Sequence, residues 1–230
     1  MDSQPTSIAA AVRSELINLE GVTKFSPNRR FAIIYSESGP ADTLLFVESG
    51  LVKIYKRGED NNKEIILQIV SAGELFGDEA LAAQQTRTSS AEILQEGVLY
   101  VIPRQPFLRL CEQRTELWRE LSVLLMERKR QLEKKIELLC LHDVEYRILY
   151  YMAELAKTFG AKGNGSEYSI PLSQGELASL IGATRETTST TLNNLARRGV
   201  IRLGRRQLIV PSIEGVLAVA DQLTQVAKVS

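Results

Sequence analysis

Between Arg30 and Pro103 the hydrophobic positions come in short β-branched and aromatic runs: RFAIIY, LLFVESGLVKIYK, KEIILQIV and VLYVIP. Turn-forming residues separate the runs at Ser38-Gly39-Pro40, Ser49-Gly50, Gly58 to Asn62 and Ala72-Gly73. Val52 and Ile54 share one strand face, with Lys53 and Tyr55 on the other, and Ile65, Leu67 and Ile69 line a face of the next strand. Short strands at such regular spacing predict an antiparallel sandwich or barrel-like roll. Ahead of it, Ile8 to Leu19 predicts a short helix.

From Thr115 the period changes. Trp118, Leu121, Leu125, Leu132 and Leu139 follow a 3-4 heptad spacing, interrupted by Arg128 and Lys135, and no Gly or Pro occurs from Thr115 to Cys140. This predicts a long amphipathic helix whose apolar stripe must be covered, either by the roll or by a second copy of itself; periodicity leaves both open. After a break at His142-Asp143, a further helix is expected from about Val144 to Phe159, then a Gly/Ser-rich loop, GAKGNGSEYS. Ser173 and Glu176 have capping-box spacing at the start of LSQGELASLIG, Gly182 can end that helix, and Thr184 can cap the next, which runs to about Arg198. VIRL, Gly204-Arg205-Arg206 and QLIV then form a β-hairpin with a basic tip. Helix, tight glycine turn, second helix and basic hairpin are the order of a winged helix-turn-helix.

Composition narrows the class. The 230 residues are 44% hydrophobic and 24% charged, an ordinary globular balance. No apolar run approaches the ~18–20 residues of a membrane helix, and MDSQPTSIAAAVRSEL lacks the basic-then-apolar pattern of a signal peptide, so a soluble cytoplasmic protein with no membrane partner is expected. Two cysteines and one histidine supply neither a disulfide framework nor a zinc or cluster site, so no metal is expected. Cys111 and Cys140 read best as small apolar packing residues. Net charge is zero, yet from Thr184 to Arg206 six arginines face the single acid Glu186. A local basic patch on a neutral chain suits phosphate contact.

On the second helix of the pair, Thr188, Thr191, Leu192 and Leu195 fall on one side, positioned to pack on Leu177, Leu180 and Ile181. Arg185, Glu186, Ser189, Thr190 and Asn193 fall on the other. An arginine can bond guanine O6 and N7 together, and a glutamate can accept from cytosine N4, so this face suits reading of a major groove. With Ser173 and Thr184 at the helix starts and Arg205 and Arg206 on the hairpin, these residues form the candidate DNA-contacting set.

TRETTSTTLNNL, preceded by LSQGELASLIGA, resembles the recognition-helix motif of the CRP/FNR superfamily, the cyclic-AMP receptor protein and its relatives. LLFVESGLVKIYK, GELFGDEAL and Arg87-Thr88 resemble that family's effector roll, and HDVEYRILYYMAELA its hinge and first DNA-domain helix. The resemblance implies an α+β chain in three parts: a cyclic-nucleotide-binding-like antiparallel β-roll over residues 1–114, a dimerisation helix and hinge over 115–142, and a winged helix-turn-helix over 143–230. It implies a homodimer pairing through the 115–142 helix, double-stranded DNA with a palindromic operator as partner, RNA polymerase as a second partner, and no enzymatic activity or catalytic residue.

In cyclic-nucleotide binders of this family a Gly-Glu pair holds the ribose and an Arg followed by a small residue clamps the phosphate. Gly77-Asp78 and Arg87-Thr88 occupy those positions, with Glu79 able to substitute for the shorter Asp78. The implied ligand is a cyclic nucleotide or another small anion, although Leu132-Glu133 stands where the family's adenine contacts are a Thr-Ser pair. The competing reading makes Arg87 an ion-pairing residue on a sheet edge, and either way it is expected at the surface. A hydrolase or transferase using Asp78, Glu79 and His142 lacks any supporting Gly-x-Ser-x-Gly, phosphate-loop or His-Glu-x-x-His motif. The other alternative is a cyclic-nucleotide-binding module that acts through protein interactions rather than DNA.

Overall fold

The structure, a computed structural model, describes residues 10–27, 29–59, 63–82, 86–162 and 167–227. The expected helix residues Ile8 and Ala9, turn residues 60–62 and loop residues 163–166 lie outside that set. The described chain divides into two units, with the main boundary inside one helix between Leu132 and Glu133 and the short stretch Lys63–Ile65 grouped with the second.

The first unit opens with α1 (Ala10–Ile17) and continues through β1 (Thr23–Phe25), β2 (Ile33–Tyr35), β3 (Thr43–Arg57), β4 (Glu64–Val70), β5 (Leu75–Phe76) and β6 (Ser90–Pro103) to α2 (Arg104–Gln113). The sheet runs β1-β6-β3-β4, with β2 added on β6 and β5 on β3. Its long antiparallel β3–β6 ladder pairs Thr43 with Pro103 at one end and Tyr55 with Ser90 at the other. Ser49-Gly50, expected as a turn, instead lies inside β3, where the register shifts on both sides of Ser49. Gly50 is at φ 90, and a Cβ on Gly97 opposite would stand 2.0 Å from the Ser49 carbonyl oxygen, so the two glycines let bulged strands cross closely.

Both faces of this sheet are covered, which explains the continuous apolar runs. Leu44, Phe46, Leu75 and Ile102 pack with Val12 and Leu16 of α1 and Phe107 and Leu110 of α2. Leu45, Val47, Val52, Val70, Phe76 and Ile93 form a second cluster. On β4, Ile66 and Val70 are the buried side chains while Ile65, Leu67 and Ile69, on the opposite face, are half-buried; on β3, Lys53 and Tyr55 are buried along with Val52 on the other face. Lys53 is tolerated there because its ammonium lies 3.4 Å from the Glu92 carboxylate.

The long helix is α3 (Glu116–Leu141). It carries two apolar faces, about a quarter turn apart. Leu117, Leu121 and Leu124 join the roll's core. Trp118, Leu125, Leu132 and Ile136 stay exposed, between 42% and 61%. Leu121 therefore leaves the expected stripe, Leu139 is half-buried beside Gly182, and Ile136 is exposed on the stripe's side. Arg128 and Lys135 do not interrupt the exposed stripe either, since both turn inward within their own unit. Cys140 is exposed, so it is not the packing residue expected; Cys111 is, and burial pushes its thiol up to about 11.

The second unit holds the end of α3 followed by α4 (Val144–Phe159), β7 (Ala161–Lys162), β8 (Tyr168–Ile170), α5 (Gln174–Ile181), α6 (Arg185–Arg197), β9 (Arg202–Gly204), β10 (Gln207–Val210) and α7 (Ile213–Ala227). A small antiparallel sheet, β7-β8-β10-β9, adds two strands to the expected hairpin. Ile148, Leu149, Met152, Leu177, Leu192, Leu195, Leu208 and Val216 are buried in this unit. No helix among the described residues is long and apolar enough to cross a membrane.

Candidate nucleic-acid interface and anion cradle

The two helices of the second unit are fixed at their ends by side chains close in sequence. Ser173 Oγ accepts from the Glu176 N–H at 3.2 Å while the Glu176 carboxylate accepts from the Ser173 N–H at 2.6 Å, the complete capping box. Gly182 ends α5 at φ 65, the left-handed conformation that favours glycine, and a Cβ there would have to displace the tip of the Leu139 side chain. Thr184 Oγ1 accepts from the Thr187 N–H at 3.1 Å to cap α6. The hydroxyls of Ser173 and Thr184 are thus engaged in shaping the turn.

The carbonyl end of α5 has cationic donors that the sequence did not disclose. Lys135 Nζ donates to the Leu180 carbonyl at 2.6 Å, and Arg147 Nη1 donates to that of Ile181 at 2.8 Å. Positive charge is favourable where helix carbonyls lack intrahelical partners. Burial lowers the Lys135 ammonium to about 8. The folded chain then holds fewer protons than the unfolded one between about pH 8 and 10.5, so this residue's contribution to stability grows across that window and is lost as pH falls through 8. Measured by urea unfolding at pH 7 and pH 10, the parent should gain roughly 2–3 kcal/mol relative to Lys135→Met on going to the higher pH. An identical difference at both pH values would refute the buried-charge account.

Along α6, Thr188, Leu192 and Leu195 are buried and Thr191, expected with them, is half-buried, while Arg185, Glu186, Thr190 and Asn193 are exposed and Ser189 is half-buried beside them. The Arg185 side chain lies across Gly175 of α5, where a Cβ would stand 3.4 Å from its Nε. Arg205 and Arg206 form the exposed β9–β10 turn, Arg206 at φ 57. The basic patch is smaller than the linear count implies. Arg198 pairs with Glu145 at 2.6 Å, Arg202 with Glu167, and Arg197 bonds the Asn194 side chain, acids and amide that the window from Thr184 to Arg206 left out or left unweighed. Among the described residues Arg185, Arg205 and Arg206 form no ion pair.

In the roll, Gly77, Glu79, Arg87 and Thr88 come together and the Asp78 carboxylate turns elsewhere. Arg87 is not a surface residue: it is 3% exposed. Its Nη1 donates to the Gly77 carbonyl at 3.1 Å and reaches Glu79 at 3.4 Å, and its Nη2 donates to the Thr43 carbonyl at 2.6 Å and contacts Thr43 Oγ1 at 3.2 Å. Tyr35 covers the guanidinium face, 4.2 Å from its ring centre. Burial, and secondarily the Glu79 charge, raise the Tyr35 phenol above its ordinary range, which keeps it neutral. Gly77 is at φ 79, and a Cβ would come within 2.8 Å of Arg87 Nη1. Thr88 Oγ1 donates to the Glu79 carboxylate at 3.2 Å. Asp78 is bonded instead by Arg128 of α3, whose other nitrogen donates to the Leu75 carbonyl.

Residues 28–114 match the cyclic nucleotide-binding domain family, and residues 146–218 match the Crp-like helix-turn-helix domain family. The chain is 31% identical over 182 residues to a CRP-like cAMP-activated global transcriptional regulator of Mycobacterium tuberculosis, spanning 79% of this chain and 81% of that one. It belongs to the CRP/FNR family of transcription regulators. Among solved CRP/FNR structures, a transcriptional regulator from Thermus thermophilus superposes with a TM-score of 0.72 at 27% identity, covering 87% of this chain and 98% of that one. FixK2 from Bradyrhizobium japonicum shares the fold at a TM-score of 0.75 and 23% identity, over 86% and 96% of the two chains. The relatives are regulators rather than enzymes.

Within this CRP/FNR chain, Tyr35, Thr43, Ser89 and Arg128 are cradle residues that sequence reasoning missed. Tyr35, Thr43 and Arg128 lie between 41 and 52 positions from Arg87 along the chain and reach it, or the nearby Asp78, only through the sheet and α3. Ser89 carried a local signal, as a second hydroxyl directly after Arg87-Thr88.

Proposed function

We propose that two copies of the chain pair through the exposed stripe of α3 and bind a palindromic DNA operator, one α6 to each half-site, regulating transcription together with RNA polymerase. The observation that carries this is the face of α6: Arg185, Glu186, Thr190 and Asn193 project from a helix whose start, turn and partner helix are all fixed by caps. Arg205 and Arg206 supply phosphate contact beside it. The roll is the unit on which a small anionic effector, such as a cyclic nucleotide, would act, by shifting the population of DNA-binding-competent dimers.

Arg185 and Glu186 have the chemistry to read a G·C pair in each half-site. Thr190 stands where the cyclic-AMP receptor protein has a second arginine, and its short side chain favours a thymine methyl over guanine. Arg185→Ala should weaken operator binding by about 1–3 kcal/mol per half-site and relax the inner position, and Thr190→Arg should add a preference for an outer guanine. Binding selections from random DNA test both. A strong outer-guanine requirement already present with Thr190 would refute this placement of α6. Failure to select any two-fold symmetric site would favour the alternative, a cyclic-nucleotide-binding module acting through protein contacts.

A further inference from the structure

Three donors in the roll converge on one carboxylate. Arg87 Nη1 lies 3.4 Å from Glu79 Oε2, and Thr88 Oγ1 and Ser89 Oγ lie 3.2 and 3.5 Å from Oε1. A guanidinium and two hydroxyls are the donor set that a phosphate ester calls for, because each oxygen of such an anion accepts charge-assisted bonds. Here the set is spent on the chain's own side chain. The terminal guanidinium nitrogens are committed elsewhere as well, Nη1 to the Gly77 carbonyl and Nη2 to the carbonyl and hydroxyl of Thr43, and the face lies against Tyr35, while the buried Nε has no hydrogen-bond partner. An incoming anion could recruit Nη1, Thr88 and Ser89 together only after Glu79 had left, and while Glu79 stayed the two negative charges would face each other across the same donors.

Glu79 also holds the advantage of being tethered. It belongs to the short 3-10 turn Asp78–Leu81, eight residues before Arg87, so its local concentration at the cradle is of the millimolar order or above, which a free ligand has to overcome. Arg128 meanwhile neutralises the neighbouring Asp78 and bonds the Leu75 carbonyl, so that carboxylate is not available to recruit a ribose hydroxyl without giving up its partner.

We propose that Glu79 is a built-in anion that fills this cradle in place of a phosphate ester, so that the regulator needs no cyclic nucleotide to bind DNA; the second clause rests on the DNA-binding reading above. The carboxylate occupies the Arg87 Nη1, Thr88 and Ser89 donors, and the cradle is closed to the ligand class for which its domain family is named.

Calorimetric titration of the full chain with cyclic AMP, cyclic GMP and inorganic phosphate tests this directly, using the parent and Glu79→Ala, with Glu79→Gln as a second variant that keeps the side-chain volume. The parent should show no saturable binding up to about 1 mM, and removal of the carboxylate should make at least one cyclic nucleotide bind at least about tenfold more tightly. Saturable micromolar binding to the parent would overturn the proposal, and this arm holds even if a variant fails to fold. Absence of binding in folded Glu79→Ala and Glu79→Gln would overturn it as well, because the cradle would then not be an anion site. Operator binding by the parent should be equal with and without about 1 mM cyclic AMP, and a dependence on the nucleotide would count against the proposal. If no DNA were bound under any condition, the regulator reading would fall while the titrations still decided the role of Glu79.

Discussion

Leu125→Glu should convert the regulator into a folded monomer that no longer holds a palindromic operator. Leu125 is 42% exposed in the single chain and makes no part of the roll's core, so the substitution leaves the protomer's packing intact. In a pair formed along Trp118, Leu125, Leu132 and Ile136, the same position faces its symmetry mate. Two carboxylates would then be placed in an apolar seam, at a cost of several kcal/mol. Losing the second α6 removes the gain of simultaneous attachment, so affinity for a two-fold site should fall by about 10²–10⁴. Leu121→Glu provides the contrast. Leu121 is 6% exposed and packs among Leu117, Leu124 and Phe107, so its substitution should lower the melting temperature of the protomer itself. Sedimentation equilibrium and thermal melting of both variants separate the two faces; a Leu125→Glu protein that sediments as a dimer would show the pair to form elsewhere.

Arg87→Ala should destabilise the first unit by about 3–5 kcal/mol, the range for breaking a buried ion pair. A surface arginine would contribute less than about 1 kcal/mol. The larger figure follows from what the guanidinium satisfies: the Gly77 and Thr43 carbonyls lose their donor, Glu79 loses its counter-charge, and Tyr35 loses the cation against its ring. Denaturant unfolding followed by a probe in the roll measures this. A midpoint unchanged from the parent would mean that the burial of Arg87 carries no energetic weight.

What could be read before folding was whatever chemistry is local. Ser173 with Glu176, Gly182 and Thr184 mark the helix ends because caps act over three or four residues, and the structure places each as expected. The buried and exposed sides of α6 followed from the helical period alone. The failures lie where the deciding partner is distant in sequence. Leu121 and Leu125 are one turn apart on the same helix, and heptad counting cannot tell which meets the roll and which remains open. Ser49-Gly50 has turn composition but sits in a bulge because Gly97 on the paired strand admits the close crossing. Arg87 carries no local mark of burial, since Tyr35 and Thr43 reach it through the sheet. Glu145 and Glu167 lie upstream of the basic window whose arginines they neutralise.

In the proposed dimer, the separation of the two apolar faces of α3 would set how the amount of regulator translates into operator occupancy. Because Leu117, Leu121 and Leu124 bind the helix to its own roll, a chain that leaves its partner keeps a covered core and stays available for re-pairing. Dissociation then exchanges folded subunits rather than consuming them. By mass action the concentration of pairs, below their dissociation constant, grows with the square of the chain concentration. Doubling synthesis would raise the population able to span both half-sites about fourfold. A promoter served by such a molecule would respond steeply to its level.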